Sequence, residues 1–336
     1  MKAVRTDGEL ECPHLDAGLR SRGIELVVLP DGVPEQQLTH AVRDADLLLM
    51  CYTRVTARVI DAAPRLKGIV KYGVGIDAID IDAAKARRIP VVNVPEYAQR
   101  TVAEGAFALL IALAKKLAPM HGAMRHDGWL WPSAPWLASD IAGKTLGLVG
   151  TGHIGRSMAQ MAGAGFQARV LGYDPNVSAA QMREAGIDKR DDLHEMLALC
   201  DFVSLHCVLN DATHGLIGER ELACMKPGAI LVNVSRGALV DEAALVRALQ
   251  SGRLGGAGLD VYSKEPLTRS GHPLSTLFEM DNVILTPHLS FFTRESMMRL
   301  ESETLERCDE LIQGLPVLVK SRDPRLTSQR HGVRFE

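Results

Sequence analysis

A short apolar segment that runs directly into a glycine-rich turn constrains the fold of this 336-residue chain more than any other feature. Residues 144–149 are typical of a buried parallel strand, and Gly150, Gly152 and Gly155 follow it. After Gly155 the residues are small and apolar at helical spacing, so the glycines lie on a strand-to-helix turn. Such a turn lets the backbone approach a pyrophosphate, presents unpaired helix N–H groups, and allows close packing of helix and strand. The sequence therefore predicts a parallel α/β fold with a dinucleotide site.

The residue at the end of the next predicted strand indicates which dinucleotide is bound. Residues 168–173 form that strand, and Asp174 follows it about 20 residues after the last glycine, the usual place for an acid that binds the adenine ribose. A carboxylate there repels the 2′-phosphate of NADP, and the following Pro175 provides no positive charge to accept it. Asp174 therefore predicts NAD as the cofactor.

An arginine, a glutamate and a histidine each follow a predicted strand farther along the chain, at Arg236, Glu265 and His288. The carboxyl ends of parallel strands are where such folds bind ligands. Hydride transfer to a 2-oxo acid leaves negative charge on the carbonyl oxygen, and the imidazole of His288 can supply the proton. A carboxylate stabilises the protonated ring, and a guanidinium presents a planar fork to the carbonyl and carboxylate of the substrate. Each residue alone is more often a surface or capping residue, so the prediction of hydride transfer rests on all three.

Four motifs in a fixed order resemble those of the D-isomer-specific 2-hydroxyacid dehydrogenase family. They span residues 150–155, 233–237, 260–266 and 286–288, within a resemblance that covers roughly residues 42–312. The resemblance implies that the protein uses NAD to interconvert a 2-oxo acid and a D-2-hydroxy acid, with no metal ion. In the family the arginine, glutamate and histidine of these motifs are catalytic, which implies that role for Arg236, Glu265 and His288.

The resemblance also implies contacts along the length of the cofactor. The backbone of His153 and Ile154 would hold the pyrophosphate, Val234 would lie beside the nicotinamide, and Asp260 would bind the carboxamide. From the glycine turn through the ribose and adenosine side to the carboxamide, the implied contacts are Gly150, Gly152, His153, Ile154, Gly155, Asp174, Cys207, Thr213, Val234 and Asp260.

A second glycine-containing stretch, residues 71–77, resembles the loop by which the family holds the substrate carboxylate. Backbone N–H groups bind the carboxylate there, and Val74 and Gly75 are the matching positions; Arg236 and His288 complete the implied substrate site. The alternative is a plain glycine turn at the end of a strand. Three cations could bind a second anionic group on the substrate, although such residues are more often exposed surface charges. They are Lys71, Arg100 and Arg294.

The order of predicted elements indicates two domains. Strand-like segments at residues 24–29, 46–51, 68–72 and 91–94 alternate with helical patterns and form an α/β unit ahead of the glycine turn. We expect two doubly wound parallel-sheet domains, with a Rossmann-type cofactor domain inserted in a flavodoxin-like substrate domain. The resemblance implies that residues 99–288 bind NAD and that residues 1–98 plus 289–336 form the discontinuous substrate domain, with the active site in the cleft between them. A helix at residues 295–312 would pack on the first domain, and the charged tail 321–336 would be partly disordered or lie on a neighbouring molecule.

Composition excludes several classes of protein. The net charge is −3 and no basic run occurs, so a nucleic-acid partner is not expected. The longest apolar stretch, residues 106–114, is shorter than the roughly 20 residues that span a membrane, and it predicts a buried helix. The first residues lack the apolar core of a signal peptide, and the 6 cysteines form no CxxC pair. These features predict a cytoplasmic protein without a membrane partner.

Two regions depart from the commonest pattern of the family. Phe291 and Phe292 stand where many members have small residues, and they resemble the branch of the C-terminal-binding-protein corepressors. Phe291 would line the substrate pocket or pack between the domains, and an NAD(H)-sensing binding protein is the alternative to an enzyme. A formate dehydrogenase is disfavoured because that group has glutamine in place of Glu265. Residues 129–136 hold all 3 tryptophans, and the resemblance implies that this segment helps form a homodimer.

Overall fold

The computed structural model describes residues 1–336, and the chain divides into two compact units. The first unit is discontinuous and consists of Met1–Ala98 and Thr293–Glu336, whereas the second is Gln99–Phe292. The sequence placed the return to the first domain at residue 289, but the structure keeps residues 289–292 with the second unit. The physical reason is that the backbone N–H groups of Leu289 and Ser290 donate hydrogen bonds to Asp260 of the second unit.

The first unit contains a five-stranded parallel sheet. Its strands are β1 (Lys2–Arg5), β2 (Glu25–Val28), β3 (Leu47–Met50), β4 (Gly68–Lys71) and β5 (Val91–Asn93). The order β2-β1-β3-β4-β5 is that of flavodoxin-like folds. Four strands coincide with predicted segments, but β1 was not predicted. The charged residues at its two ends hide the apolar pattern of a buried strand. Arg5 is nevertheless buried, where it forms an ion pair with Asp16 at 2.8 Å.

The second unit contains a seven-stranded parallel sheet. Its strands are β6 (Thr145–Val149), β7 (Arg169–Tyr173), β8 (Asp188–Lys189), β9 (Phe202–Leu205), β10 (Ala229–Asn233), β11 (Leu254–Leu259) and β12 (Val283–Leu285). The order β12-β11-β10-β9-β6-β7-β8 reverses its direction between β6 and β9. That reversal is the point at which doubly wound sheets form a crevice for ligands. The predicted fold class is confirmed.

Helices cover both faces of these sheets. The first unit contributes α1 (Pro13–Ser21), α2 (Glu35–Ala41), α3 (Ala57–Asp61) and α4 (Ile81–Ala86). The second contributes α5 (Gln99–Ala114), α6 (Leu117–Asp127), α7 (His153–Gln160), α8 (Ala179–Glu184), α9 (Leu193–Leu199), α10 (Glu219–Cys224) and α11 (Glu242–Gln250). Alternate residues of β10 enter different cores: Ile230 packs in the cluster that contains α5 residues, and Leu231 packs in the cluster of α9 to α11. The predicted apolar helix at residues 106–114 is the buried part of α5. No helix in the structure is long and apolar enough to cross a membrane.

The C-terminal part of the chain completes the first unit. It consists of α12 (Arg294–Ile312), β13 (Val317–Val319), α13 (Pro324–Thr327) and β14 (Val333–Phe335). Helix α12 packs closely against α1. A methyl group at Gly18 of α1 would lie only 2.6 Å from Leu305 of α12. Residues 321–336 were expected to be partly disordered or to lie on a neighbouring molecule, whereas in the structure they pack on the first unit. The buried Gln329 accepts a hydrogen bond from the Val91 N–H at 2.8 Å and donates to its carbonyl at 2.9 Å, which holds the tail on β5.

Candidate active site

The predicted glycine turn follows β6, and two of its glycines are required by the chain itself. Gly150 has φ +92°, and a Cβ there would lie 2.5 Å from the Cys207 nitrogen. A Cβ at Gly155 would collide with the carbonyl oxygen of Gly150. By contrast, no atom lies within 4 Å of a Cβ built at Gly152. The space at Gly152 is therefore open to a ligand, whereas Gly150 and Gly155 permit the close packing of the turn.

Helix α7 begins directly after this open position, with Gly152 as its N-cap and no side chain that caps it. The first N–H groups of the helix, which include those of His153 and Ile154, are therefore suited to an anion such as a pyrophosphate. Asp174, at the end of β7, accepts a hydrogen bond from the Thr151 N–H at 2.9 Å. The contact fixes the carboxylate beside the glycine turn, and its bond to the adenine ribose stays a prediction.

A histidine that sequence reasoning missed stands on the other side of the crevice. His206 follows β9 and its N–H donates to the Val149 carbonyl at 2.7 Å, so it lies beside Gly150. Both ring nitrogens are covered by protein and have no hydrogen-bond partner, and burial lowers the pKa of His206 to about 4. Buried polar atoms almost always have a hydrogen-bond partner, so these two ring nitrogens call for a structural or functional reason. Their position at the sheet reversal fits a crevice that holds a cofactor.

The predicted adenosine contacts differ in their surroundings. Cys207 is half-buried beside Gly150, and burial raises the pKa of its thiol to about 11, so the side chain is a neutral and weakly polar surface. The Thr213 hydroxyl donates to the Val208 carbonyl at 2.7 Å and accepts from the Asn210 N–H at 2.9 Å. Its hydrogen bonds therefore stabilise its own loop, and a cofactor contact of Thr213 stays a prediction.

Asp260 organises the segment that carries the predicted catalytic histidine. It is 1% exposed, and its Oδ1 accepts hydrogen bonds from the Thr286 hydroxyl at 2.6 Å and the Leu289 N–H at 3.0 Å. Its Oδ2 accepts a hydrogen bond from the Ser290 N–H at 2.9 Å. These contacts join the end of β11 to the residues on both sides of His288. The sequence offered only the implied carboxamide contact, because partners 26 to 30 residues away leave no local pattern.

The predicted glutamate and histidine are in contact. Nδ1 of His288 lies 3.0 Å from Oε2 of Glu265, and Oε1 of Glu265 accepts a hydrogen bond from the Tyr262 N–H at 3.0 Å. Burial by itself would raise the pKa of Glu265. The hydrogen bond and charge of His288 outweigh burial, with smaller effects of the Tyr262 N–H and Arg236, so the pKa of this carboxyl is below its usual value. Glu265 is therefore an ionised partner for the imidazole.

The backbone at these residues is closely packed. His288 has φ +58°, a left-handed conformation that is uncommon for a side-chain-bearing residue and is often found at functional sites. A Cβ at Gly237 would collide with the backbone of Tyr262 and Ser263, so only glycine allows the turn after Arg236 to lie against the segment that leads to Glu265. Nη1 of Arg236 donates to the Ser235 carbonyl at 2.7 Å, which restricts the guanidinium. Gly237 is therefore a structural requirement of the site.

The Val234 side chain is 7% exposed and packs in the core cluster that contains α5 residues. It follows β10, one of the strands that form the central part of the sheet.

Phe291 is buried, and its ring makes an edge contact with that of Phe292, with ring centroids 6.0 Å apart. Both rings belong to the second unit, so the packing of Phe291 between the domains and its contact with a substrate both stay predictions.

The predicted substrate loop lies in the first unit, directly after β4. Val74 is 46% exposed, and its carbonyl accepts a hydrogen bond from the Asn93 amide at 2.6 Å. The expectation that Lys71 is a surface charge is wrong. It is 5% exposed, and its ammonium donates to the Cys51 carbonyl at 2.6 Å and lies 5.6 Å from the centre of the Tyr52 ring. The other two cations considered, Arg100 and Arg294, are exposed, as expected.

The chain is similar to known proteins over most of its length. Residues 107–290 match the family model described as "D-isomer specific 2-hydroxyacid dehydrogenase, NAD binding domain". The chain is 42% identical to the D-3-phosphoglycerate dehydrogenase of Mycobacterium tuberculosis over 82% of its own length and 51% of the relative. It is 38% identical to the glyoxylate reductase of Thermococcus litoralis over 84% of this chain and 86% of that protein.

A solved structure is similar over nearly the whole chain. It is the D-lactate dehydrogenase of Aquifex aeolicus complexed with NAD and lactic acid, which matches with a TM-score of 0.82 and 31% identity over 93% of this chain and 96% of that one. This chain belongs to the D-isomer specific 2-hydroxyacid dehydrogenase family, and residues 107–290 lie in its NAD-binding domain. It spans about half the length of the phosphoglycerate dehydrogenases that it matches, at 51%.

Proposed function

We propose that this protein is an NAD-dependent oxidoreductase that interconverts a 2-oxo acid and a D-2-hydroxy acid. The observation that carries the proposal is the 3.0 Å contact between His288 and the ionised Glu265 in a unit that has an open glycine turn at its sheet reversal. The relatives named above are dehydrogenases and a reductase. They give no support to the alternative of a corepressor-like binding protein.

In the proposed reaction NADH supplies the hydride to the carbonyl carbon, and side chains of this protein manage the charge that develops on the oxygen. Glu265 holds Nδ1 of His288, so Nε2 is the ring atom that donates a proton to the oxygen during reduction. In the oxidation direction the neutral ring accepts that proton. The guanidinium of Arg236 binds the substrate carbonyl and carboxylate through its planar fork.

We propose that cofactor binding uses the contacts that the family resemblance implies. The open space at Gly152 and the uncapped start of α7 support a pyrophosphate site, and the fixed carboxylate of Asp174 supports an adenine ribose site. For the substrate carboxylate we propose the backbone N–H groups of Val74 and Gly75. The exposure of Val74 supports this assignment, because the loop after β4 is accessible to a small molecule.

The proposed activity is tested by following NADH absorbance with a panel of 2-oxo acids: glyoxylate, hydroxypyruvate, pyruvate and phenylpyruvate. We expect turnover with at least one of them and loss of turnover in His288→Gln. The exposed His14 offers a matched control, because His14→Gln leaves the proposed site intact. Activity that survives in His288→Gln, or no oxidation of NADH by any 2-oxo acid, would overturn the proposal.

We propose that two copies associate through α6 and the segment that follows it. None of the residues of α6 is buried, and Trp129 and Trp131 are 71% and 77% exposed. Exposed aromatic and apolar side chains of this density are typical of protein interfaces. The double variant Trp129→Ser and Trp131→Ser should sediment as a monomer under conditions in which the parent sediments as a dimer. A monomeric parent would contradict the proposal.

A cytoplasmic location is the last part of the proposal. All six cysteines are free, and four of them are buried, which supports a reducing compartment. Fractionation of the source cells with an antibody to the protein would test this location.

A further inference from the structure

A small cavity in the first unit is lined by basic side chains and contains no carboxylate in its wall. Its volume is about 170 Å³, and it lies where the end of α4 and the start of β5 meet the C-terminal tail. None of its residues belongs to the proposed active site. The lining residues are Lys85, Arg88, Ile89, Ser328, Gln329, Arg330 and His331.

Of the lysine and two arginines at this cavity, only the lysine is paired with a neighbouring acid. Lys85 forms an ion pair with Asp82 at 2.8 Å and donates to the Ser328 hydroxyl at 3.2 Å. The guanidiniums of Arg88 and Arg330 form no ion pair and no hydrogen bond. Another arginine of the same tail, Arg325, is paired with both Asp323 and Asp77. Two arginines at one cavity therefore keep their full hydrogen-bonding capacity for a molecule from solution.

The walls of the cavity are held by the fold. Gln329 is 3% exposed, and its amide is bonded to both the N–H and the carbonyl of Val91 and to the Leu326 carbonyl. These bonds fix the backbone beside Arg330. Ile89, which also lines the cavity, is 5% exposed and anchors the backbone next to Arg88. The two guanidiniums therefore extend from backbone positions that are already ordered, which lowers the entropy cost of binding a ligand.

We propose that this cavity is a binding site for a phosphate group. Arginine presents its N–H donors in a fork that matches the oxygens of phosphate, and bonds between these charged groups are among the strongest hydrogen bonds in proteins. A volume of about 170 Å³ accommodates inorganic phosphate or the phosphate end of a small metabolite, whereas a whole dinucleotide exceeds it. The ligand is free phosphate or a phosphate monoester, and the two sources share the same chemistry.

Isothermal titration calorimetry with inorganic phosphate, at an ionic strength held constant with NaCl, tests the proposal. We expect Arg88→Gln and Arg330→Gln each to weaken binding at this cavity by about tenfold, and the double variant to abolish binding at the cavity. Arg43 is also exposed and unpaired in the first unit, so Arg43→Gln controls for the loss of one positive charge. Its affinity should equal that of the parent. Phosphate that binds elsewhere, for example at the glycine turn, would persist in the double variant and is thereby distinguished.

Titration with glycerol 3-phosphate, with glycerol as its control, identifies the source of the phosphate group. Binding of the ester that is lost in the double variant indicates a phosphorylated metabolite, and binding of inorganic phosphate alone indicates the free ion. No binding of either compound to the parent overturns the proposal. Unchanged affinity in the double variant, or equal weakening in Arg43→Gln, also overturns it.

Stability measurements separate binding from a structural role. Because Arg88 and Arg330 have no partner to lose, the Tm of the glutamine variants without phosphate should be equal to or higher than that of the parent. Phosphate should raise the Tm of the parent and leave that of the double variant unchanged. Arg88→Lys keeps the charge but loses the fork, so we expect an intermediate affinity. A lower Tm of the glutamine variants without phosphate would show that the two arginines serve the fold and would overturn the proposal.

Discussion

Replacing Asp260 with Asn should loosen the segment that carries His288, even when no cofactor is bound. The carboxylate accepts three hydrogen bonds from the Thr286 hydroxyl and the N–H groups of Leu289 and Ser290. An asparagine keeps one oxygen for the first two donors, but its NH₂ group cannot accept from the Ser290 N–H. The partly buried N–H then loses a bond to a charged acceptor, at a cost of about 1.5–3 kcal/mol.

The lost hydrogen bond should lower the free energy of local opening of residues 286–290. Since about 1.4 kcal/mol is a factor of ten, amide hydrogen exchange of these residues should be about 10- to 100-fold faster in Asp260→Asn. Exchange in the β6 strand should not change. Asp211 is exposed and its carboxylate makes no hydrogen bond, so Asp211→Asn is the control for the loss of a negative charge.

Kinetics distinguish the observed role of Asp260 from the one that the family resemblance implies. A residue that positions His288 should lower kcat when it is replaced, with a smaller effect on the KM for NADH. A residue that acts only on the cofactor carboxamide should raise the KM for NADH and leave hydrogen exchange unchanged. Normal protection of residues 286–290 in Asp260→Asn would therefore refute the reasoning.

Three further predictions concern the proposed reaction. In Glu265→Gln the protonated form of His288 loses its ionised partner, so reduction should fall off at a lower pH and oxidation should begin at a lower pH. Unchanged midpoints in both pH–rate profiles would show that the carboxylate is not coupled to the ring. Arg236→Lys should lower kcat/KM by about 100-fold or more because an ammonium cannot reproduce the bidentate fork, and near-normal steady-state constants would exclude Arg236 as the substrate anchor. The carboxylate of Asp174 should give a higher kcat/KM with NADH than with NADPH. Asp174→Asn should bring the two kcat/KM values closer together. Equal kcat/KM values with the two cofactors in the parent would contradict the assignment of Asp174 to the adenine ribose.

Much of the fold could be predicted because its signals act over short distances. Strand β6 and its glycines are recognisable since an apolar run, a turn and a helix must follow one another there. The same local logic located β7 with Asp174 after it. The same reasoning did not predict β1, because this strand is very short and ends at the charged Arg5, a residue type that is typical of the surface.

The candidate site was predicted in its residue types but only partly in its contacts. Arg236, Glu265 and His288 each follow a strand, and parallel strands bring their carboxyl ends to one edge of the sheet. The pairing of Glu265 with His288 was therefore expected. The requirement for glycine at position 237 was not, since it arises from the backbone of a segment that approaches it only in the folded unit.

The sequence by itself predicted most of the strands and helices in their order, the glycine turn and the candidate site residues, because periodicity and spacing are local properties. Only the tertiary structure decided which charged groups are buried and what they bind. Lys71 was expected at the surface because lysine is seldom buried, yet the fold places it against Cys51 and Tyr52. Asp260 similarly acquires its partners from a segment that follows the next strand of the sheet. A contact between residues far apart in the chain depends on how the elements pack, and no short window of sequence records it.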